Sequence, residues 1–307
     1  MSGKGEEKIA YIIENANVLK DKTLKKYSML IQDERIAAIQ PQFKYYRLMK
    51  MNVDPFILTP TFVLLNSKVS TISAFPELKQ YLTEVFLLKG CTTLITYVNV
   101  LYERELSEKI TALKMSLNSS PVDFAICVKI PVGLLTDSFV RKCKQEKIPA
   151  IFVELEDTNE LQKIPWAWIK NSLFPYNCPL IPIISIAHKK EKKAILSKWK
   201  DIIIKENLAA VYEELEENKP LPITILNKIG IFPSKGSLMF GSELSYNLFY
   251  LDNEIKNIDE DHLFHYHSDR LVVTVHKGRI VRLEKTVLFK PGFGEHVKVR
   301  TPAFFSL

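Results

Sequence analysis

Cysteine is rare in this 307-residue chain and never paired in spacing: Cys91, Cys127, Cys143 and Cys178 stand far apart, with no C-x-x-C. A disulfide framework is excluded on that count, and reduced, buried thiols are expected. Glycine is almost as sparse, ten in all, and no G-x-G-x-x-G, P-loop or G-x-S-x-G occurs. Dinucleotide binding, P-loop phosphate binding and the serine nucleophile elbow lose their signatures. No apolar run approaches the roughly 20 residues that span a bilayer, and the leading MSGKGEEK mixes charges of both signs. A cytoplasmic protein without a transmembrane segment is expected. A strong charge excess is missing too. The net +7 is spread as single lysines among glutamates, and the densest cluster, His188 to Lys193, has no aromatic or glycine to grip bases. No strong nucleic-acid signal results.

What remains has the balance of an ordinary globular protein, 47% hydrophobic and 25% charged. Residues 8–19 and 27–39 are β-rich runs joined by the polar DKTLKK, and Gln32 to Arg35 reads as a hairpin turn without the usual glycine. From Ile57 short β-branched runs alternate with amphipathic ones, the signature of βα units and a parallel sheet. Strands are expected at 57–65, 92–98, 122–130, 150–155 and within PLIPIISIA, with helices at 76–89, 103–115 and 135–146 and one or two more in 191–218. The apolar run 57–65 carries a Pro-Thr break at Pro60. After Gly236 strand texture returns at 237–240, 247–251, 271–276 and 279–283. Five or six βα units fall short of the eight that close a barrel. The open edge has to be covered by the aromatic segment around Trp166 and Trp168, by the terminal strands, or by a second subunit. A homodimer or protein partner is therefore among the expected arrangements.

Several stretches resemble the amidohydrolase superfamily on its dihydroorotase and dihydropyrimidinase side. Gln32 to Ile39 is similar to the family's D-G-R-I segment, and Gly90-Cys91-Thr92-Thr93 to its G-V-T-T. Gly230 to Ser237 resembles the return from barrel to sandwich, and Val273 to Val281 the closing V-x-x-V-x-x-G-x-x-V. At the barrel entry Pro60, Phe62 and Val63 keep the family's frame, with Thr61 where glycine is usual and Leu64 where aspartate is usual. Asn66 and Lys68 stand at the positions of the two metal-binding histidines. The resemblance implies an α/β fold: a shortened or incomplete TIM-like (β/α) barrel over 55–230, plus a small composite β-sandwich from 1–54 and 231–307.

The chemistry that the resemblance would imply is not in the residues. A hydrolytic metal needs several fixed His or Asp ligands facing one cavity. Asn66 is a poor ligand, Lys68 repels a cation, and no Asp lies between Ile202 and Leu251 to serve as the family's late ligand and base. No metal and no cofactor are expected. The expected protein has lost metal-dependent hydrolysis and serves a binding, regulatory or structural role. The competing expectation is a hydrolase of amide or other non-peptide C–N bonds with a site rebuilt from Glu154, Glu156, His188 and Lys68. Glu154 and Glu156, two apart at a strand end, are expected to face the same way. Asn66 and Lys68 remain candidates for ligand binding, as do Trp166 and Trp168, with barrel packing an equal account of the indoles. His262, His265 and His267 read as a histidine-rich loop. The ligand itself is unknown, and the lysine-rich, glycine-poor composition points to an AT-rich bacterial genome.

Overall fold

A computed structural model describes residues 10–20, 23–186, 188–251, 259–300 and 302. The chain divides into two compact units, one of Met1–Val63, Gln80–Thr93 and Pro233–Lys290, the other of Leu64–Lys79, Leu94–Phe232 and Pro291–Leu307. Residues 8 and 9 of the first expected strand lie outside the described residues.

The chain opens with β1 (Ala10–Lys20), β2 (Thr23–Gln32) and β3 (Arg35–Gln40), paired antiparallel in succession. The turn between β2 and β3 places both Asp33 and Glu34 at positive φ, 49° and 59°. That is the geometry a two-residue hairpin needs, reached here without glycine. The expected DKTLKK connection is shorter than its polarity suggested. Thr23 to Lys26 continue β2, because their mostly exposed side chains extend a ladder already fixed by buried Met29, Leu30 and Ile31. Then come β4 (Met49–Asn52), β5 (Phe56–Pro60) and β6 (Phe62–Leu65). The apolar run breaks after Pro60, which lacks an N–H to continue the ladder. Its first half joins the terminal strands, and its second half begins a parallel sheet.

That sheet is built by βα units. After β6 come α1 (Phe75–Val85), β7 (Cys91–Asn99), α2 (Leu106–Ser116), β8 (Asp123–Pro131), α3 (Asp137–Gln145), β9 (Ile151–Leu155), α4 (Thr158–Lys163), α5 (Trp166–Leu173), β10 (Leu180–Ile184) and α6 (Lys189–Glu206). Strand order is β10-β9-β8-β7-β6, five strands curled as a half-barrel. Helix ends carry ordinary stop signals. Thr136 accepts from the Phe139 N–H to start α3, and Gly90, at φ 75°, closes the 3-10 turn that follows α1. The aromatic segment forms α5, Trp166–Leu173, where the sequence showed only broken rhythm. Trp166 supplies the reason: its indole N–H donates to Leu161 O at 2.9 Å, and its ring meets that of Trp199 edge-on. Of the one or two helices expected in 191–218, one forms, α6, ending at Asn207 in the left-handed region.

The remaining elements are α7 (Ile223–Ile229), β11 (Tyr246–Tyr250), α8 (Glu260–Tyr266), β12 (Leu271–His276), β13 (Arg279–Leu283) and β14 (Thr286–Val287). Residues 237–240 are not a strand; positive φ at Gly236 and Gly241 turns the chain on either side. The histidine-rich segment is not a loop either. Asp259 accepts from the His262 N–H at 2.8 Å and starts α8, which the spacing of buried Leu263 and Phe264 seats on the core. Strands from both ends of the chain share one nine-stranded sheet, ordered β14-β13-β12-β11-β5-β1-β2-β3 with β4 beside β1. At its centre Asn247, fully buried, donates to Gly90 O at 3.0 Å and accepts from Thr274 Oγ1 at 2.9 Å. A Cβ on Gly90 would lie 2.7 Å from that amide, so glycine is required there by space as well as by φ.

Candidate functional site

Parallel α/β sheets present ligand sites at the C-terminal ends of their strands. In β7 to β9 nearly every side chain is buried on both faces, as crossover helices require. Toward the strand ends the alternate residues Tyr97, Lys129 and Glu154 become half-buried. Register places Lys129 opposite Phe152 and Pro131 opposite Glu154, so Lys129, Phe152 and Glu154 share one face. The Tyr97 ring lies against Phe152, 4.9 Å between centroids.

The polar groups on this face are engaged with one another. Lys129 Nζ donates to Glu154 Oε1 at 2.7 Å, and Ser185 Oγ, just past β10, donates to the same oxygen at 2.6 Å. Burial pushes the Glu154 carboxyl up, but the two hydrogen bonds and the lysine charge outweigh it and hold the group below the usual carboxylate range. Tyr97 moves the other way. Its burial and the negative charges of Glu217 and Glu154 raise the phenol, against a smaller opposing hydrogen bond with Ser67.

The segment after α6 returns along these strand ends. Glu214 accepts from the Ile184 N–H at 2.8 Å and pairs with Lys192. Glu217 accepts from the Ser67 N–H at 3.2 Å, and Asn218 donates its N–H to Leu65 O at 2.9 Å. Asn66 is 0% exposed; its amide donates to Asn218 Oδ1 at 2.6 Å and accepts from the Val69 N–H at 3.0 Å. Both ends of that amide thus hold chain together.

Lys68 is exposed and opens the 3-10 turn Lys68–Thr71, beyond the end of β6. Glu156 is exposed and lies past β9, which stops at Leu155 because Asp157 caps α4. The two carboxylates therefore do not share a strand face. His188 is an exposed N-cap of α6 that makes no side-chain cap. Trp166 is buried core and Trp168 is 64% exposed, so the two indoles do not line one wall. Lys129 and Ser185 escaped the sequence reading. A lone lysine inside the apolar strand FAICVKIP was the available signal.

A cleft of about 370 Å³ beside the end of β7 is lined by Ser70, Thr71, Ser73, Asn99 and Lys109, among others. Several of its donors are already used: Ser70 donates to Ser67 O, Thr71 to Lys68 O, and Lys109 to Asn99 O and the Glu105 carboxylate. All four cysteines are free and buried, and burial pushes the Cys178 thiol up to about 12. They are inert as nucleophiles at neutral pH.

Asn66 offers a buried amide bonded at both ends and Lys68 an exposed ammonium, neither of them a ligand for a hydrolytic metal. The Glu154 carboxylate already serves Lys129. These residues do not fit a hydrolytic metal.

No protein-family model matches the chain, and no curated protein matches it either. Solved structures do. A D-hydantoinase from a Bacillus species aligns with TM-score 0.57 at 10% identity, over 95% of this chain and 99% of that one. The L-hydantoinase of Arthrobacter aurescens gives 0.56 at 12%, over 94% and 99%. The dihydropyrimidinase of Brevibacillus agri gives 0.51 at 11%, over 96% and 99%. The chain has an amidohydrolase-like fold. At such identities the likeness concerns fold alone. No helix among the described residues is long and apolar enough to cross a membrane.

Proposed function

We propose that the chain is a divergent amidohydrolase-superfamily protein in which metal-dependent hydrolysis has been lost. On this reading the half-barrel, strands β6 to β10 within 55–230, is an incomplete TIM-like barrel. Strands within the terminal segments 1–54 and 231–307, with β5 between them, form the composite β-sandwich, and the whole serves a binding, regulatory or structural role. Asn66 carries the proposal. At the position of a metal-binding histidine it holds Asn218 and the Val69 N–H, so the site has been rebuilt as a structural joint. The self-paired Lys129, Glu154 and Ser185 support the same reading, since a general base must be free to take a proton from substrate. The test uses the full chain without a histidine tag. Elemental analysis is expected to find far less than one zinc, manganese or nickel per chain, and added metal should give no hydrolysis of hydantoin or dihydrouracil. Near-stoichiometric metal together with metal-dependent ring opening would overturn the proposal.

A further inference from the structure

One cation in the terminal-strand unit is less completely partnered than Lys129 and Glu154 on the half-barrel face. Arg282 sits in β13, where both it and its neighbour Val281 are buried. Successive residues of a strand point to opposite faces, so β13 must be covered on both. The 3-10 turn Leu87–Lys89 packs against it within the same unit. Arg282 is only 4% exposed. One of its terminal nitrogens donates to Leu271 O, but its Nε is buried without a hydrogen-bond partner. Burial disfavours its charged form and lowers its pKa. A guanidinium keeps its charge in proteins all the same, and a buried donor left unmade is costly.

Arg282 lines a cleft of about 580 Å³, within the size range of small-molecule sites. Leu88, Tyr250, Leu271 and Val272 supply apolar wall. Other charges at the cleft are Lys89 and Lys285 against Glu84, Asp269 and Glu284. With Arg282 included these balance, so the cleft has no field to gather polyanions. A guanidinium fork matches one planar carboxylate in geometry and charge. We propose that this cleft binds a small organic monocarboxylate, its acid group on Arg282 and its apolar body against Leu88, Tyr250 and Val272. The inference does not depend on the loss of hydrolysis.

The test is calorimetric titration of the full chain with benzoate and, as comparator, inorganic phosphate, both at fixed ionic strength. Benzoate is expected to bind one to one and more tightly than phosphate. Arg282→Lys keeps the charge but loses the fork, and should weaken benzoate at least tenfold. Arg282→Met should abolish binding; if that variant does not fold, the lysine variant still decides. Lys25→Ala, exposed on β2 and outside the cleft, should change affinity less than threefold. Absence of benzoate binding by the unaltered chain, phosphate bound as tightly as benzoate, or an Arg282→Lys variant that binds unchanged would each overturn the proposal.

Discussion

The strand ends of the half-barrel and the Arg282 cleft are both polar places in a largely apolar fold, and they treat polar groups in opposite ways. At the strand ends Lys129, Glu154 and Ser185 satisfy one another, and Asn66 satisfies Asn218 and Val69. In the cleft Arg282 keeps an unmade donor. A polar group whose partners all come from its own chain stabilises or specifies the fold. One left short is the better candidate for a ligand, because only then does binding complete a hydrogen bond that folding could not.

The sharpest way to break this comparison is at Asn66. Asn66→Ala strands the buried Val69 N–H and releases the exposed Asn218 amide to water, and should destabilise the chain by about 1–3 kcal/mol, the cost of one buried group left unsatisfied. Urea unfolding measures it; a neutral result would mean that the amide is no joint and that its position is open to a ligand after all. The next effect is smaller, since Lys129 and Glu154 keep a fifth to a quarter of their side chains in water. Lys129→Met should cost about 1–2 kcal/mol, and adding Glu154→Gln should recover part of that, because an unpaired buried carboxylate is worse than a neutral amide. Strict additivity of the two changes in a double-mutant cycle would show that the pair is not coupled.

Glu154 also gives a pH dependence. Its folded pKa lies below the unfolded value, so its contribution is present above the ordinary carboxylate range and is lost as pH falls through the folded pKa. The Glu154→Gln variant should therefore lose less stability on acidification than the unaltered chain. Parallel acid curves would remove the Lys129 and Ser185 hydrogen bonds from the account. The smallest expected effect is at Trp168, 64% exposed. Trp168→Ala should stay within about 0.5 kcal/mol of the unaltered chain in thermal or urea unfolding, and a large loss would mean that the indole packs on something the chain does not show.

The alternation of β-branched runs with amphipathic stretches determined the parallel sheet, because side-chain period follows secondary structure directly. The break at Pro60 was legible for the same reason: a missing N–H ends a ladder wherever it falls. That Asn66 and Lys68 are poor ligands for a metal was legible too, since residue type alone decides what can ligate one. What the sequence could not supply was partnership. That Asp33 and Glu34 both take positive φ depends on the strands they join, and the helix of DHLFHYH depends on the core that receives Leu263 and Phe264. Glu154 and Glu156 looked like a pair by spacing, but where β9 ends is set by the Asp157 cap. Lys129 and Ser185 lie 56 positions apart in sequence and meet on one carboxylate only because β8, β9 and β10 are neighbours in register. Arg282 reads as an ordinary strand arginine until the turn after α1 covers its face. Hydrogen bonds and burial are properties of groups brought together from distant positions, and the tertiary structure alone decides which groups those are.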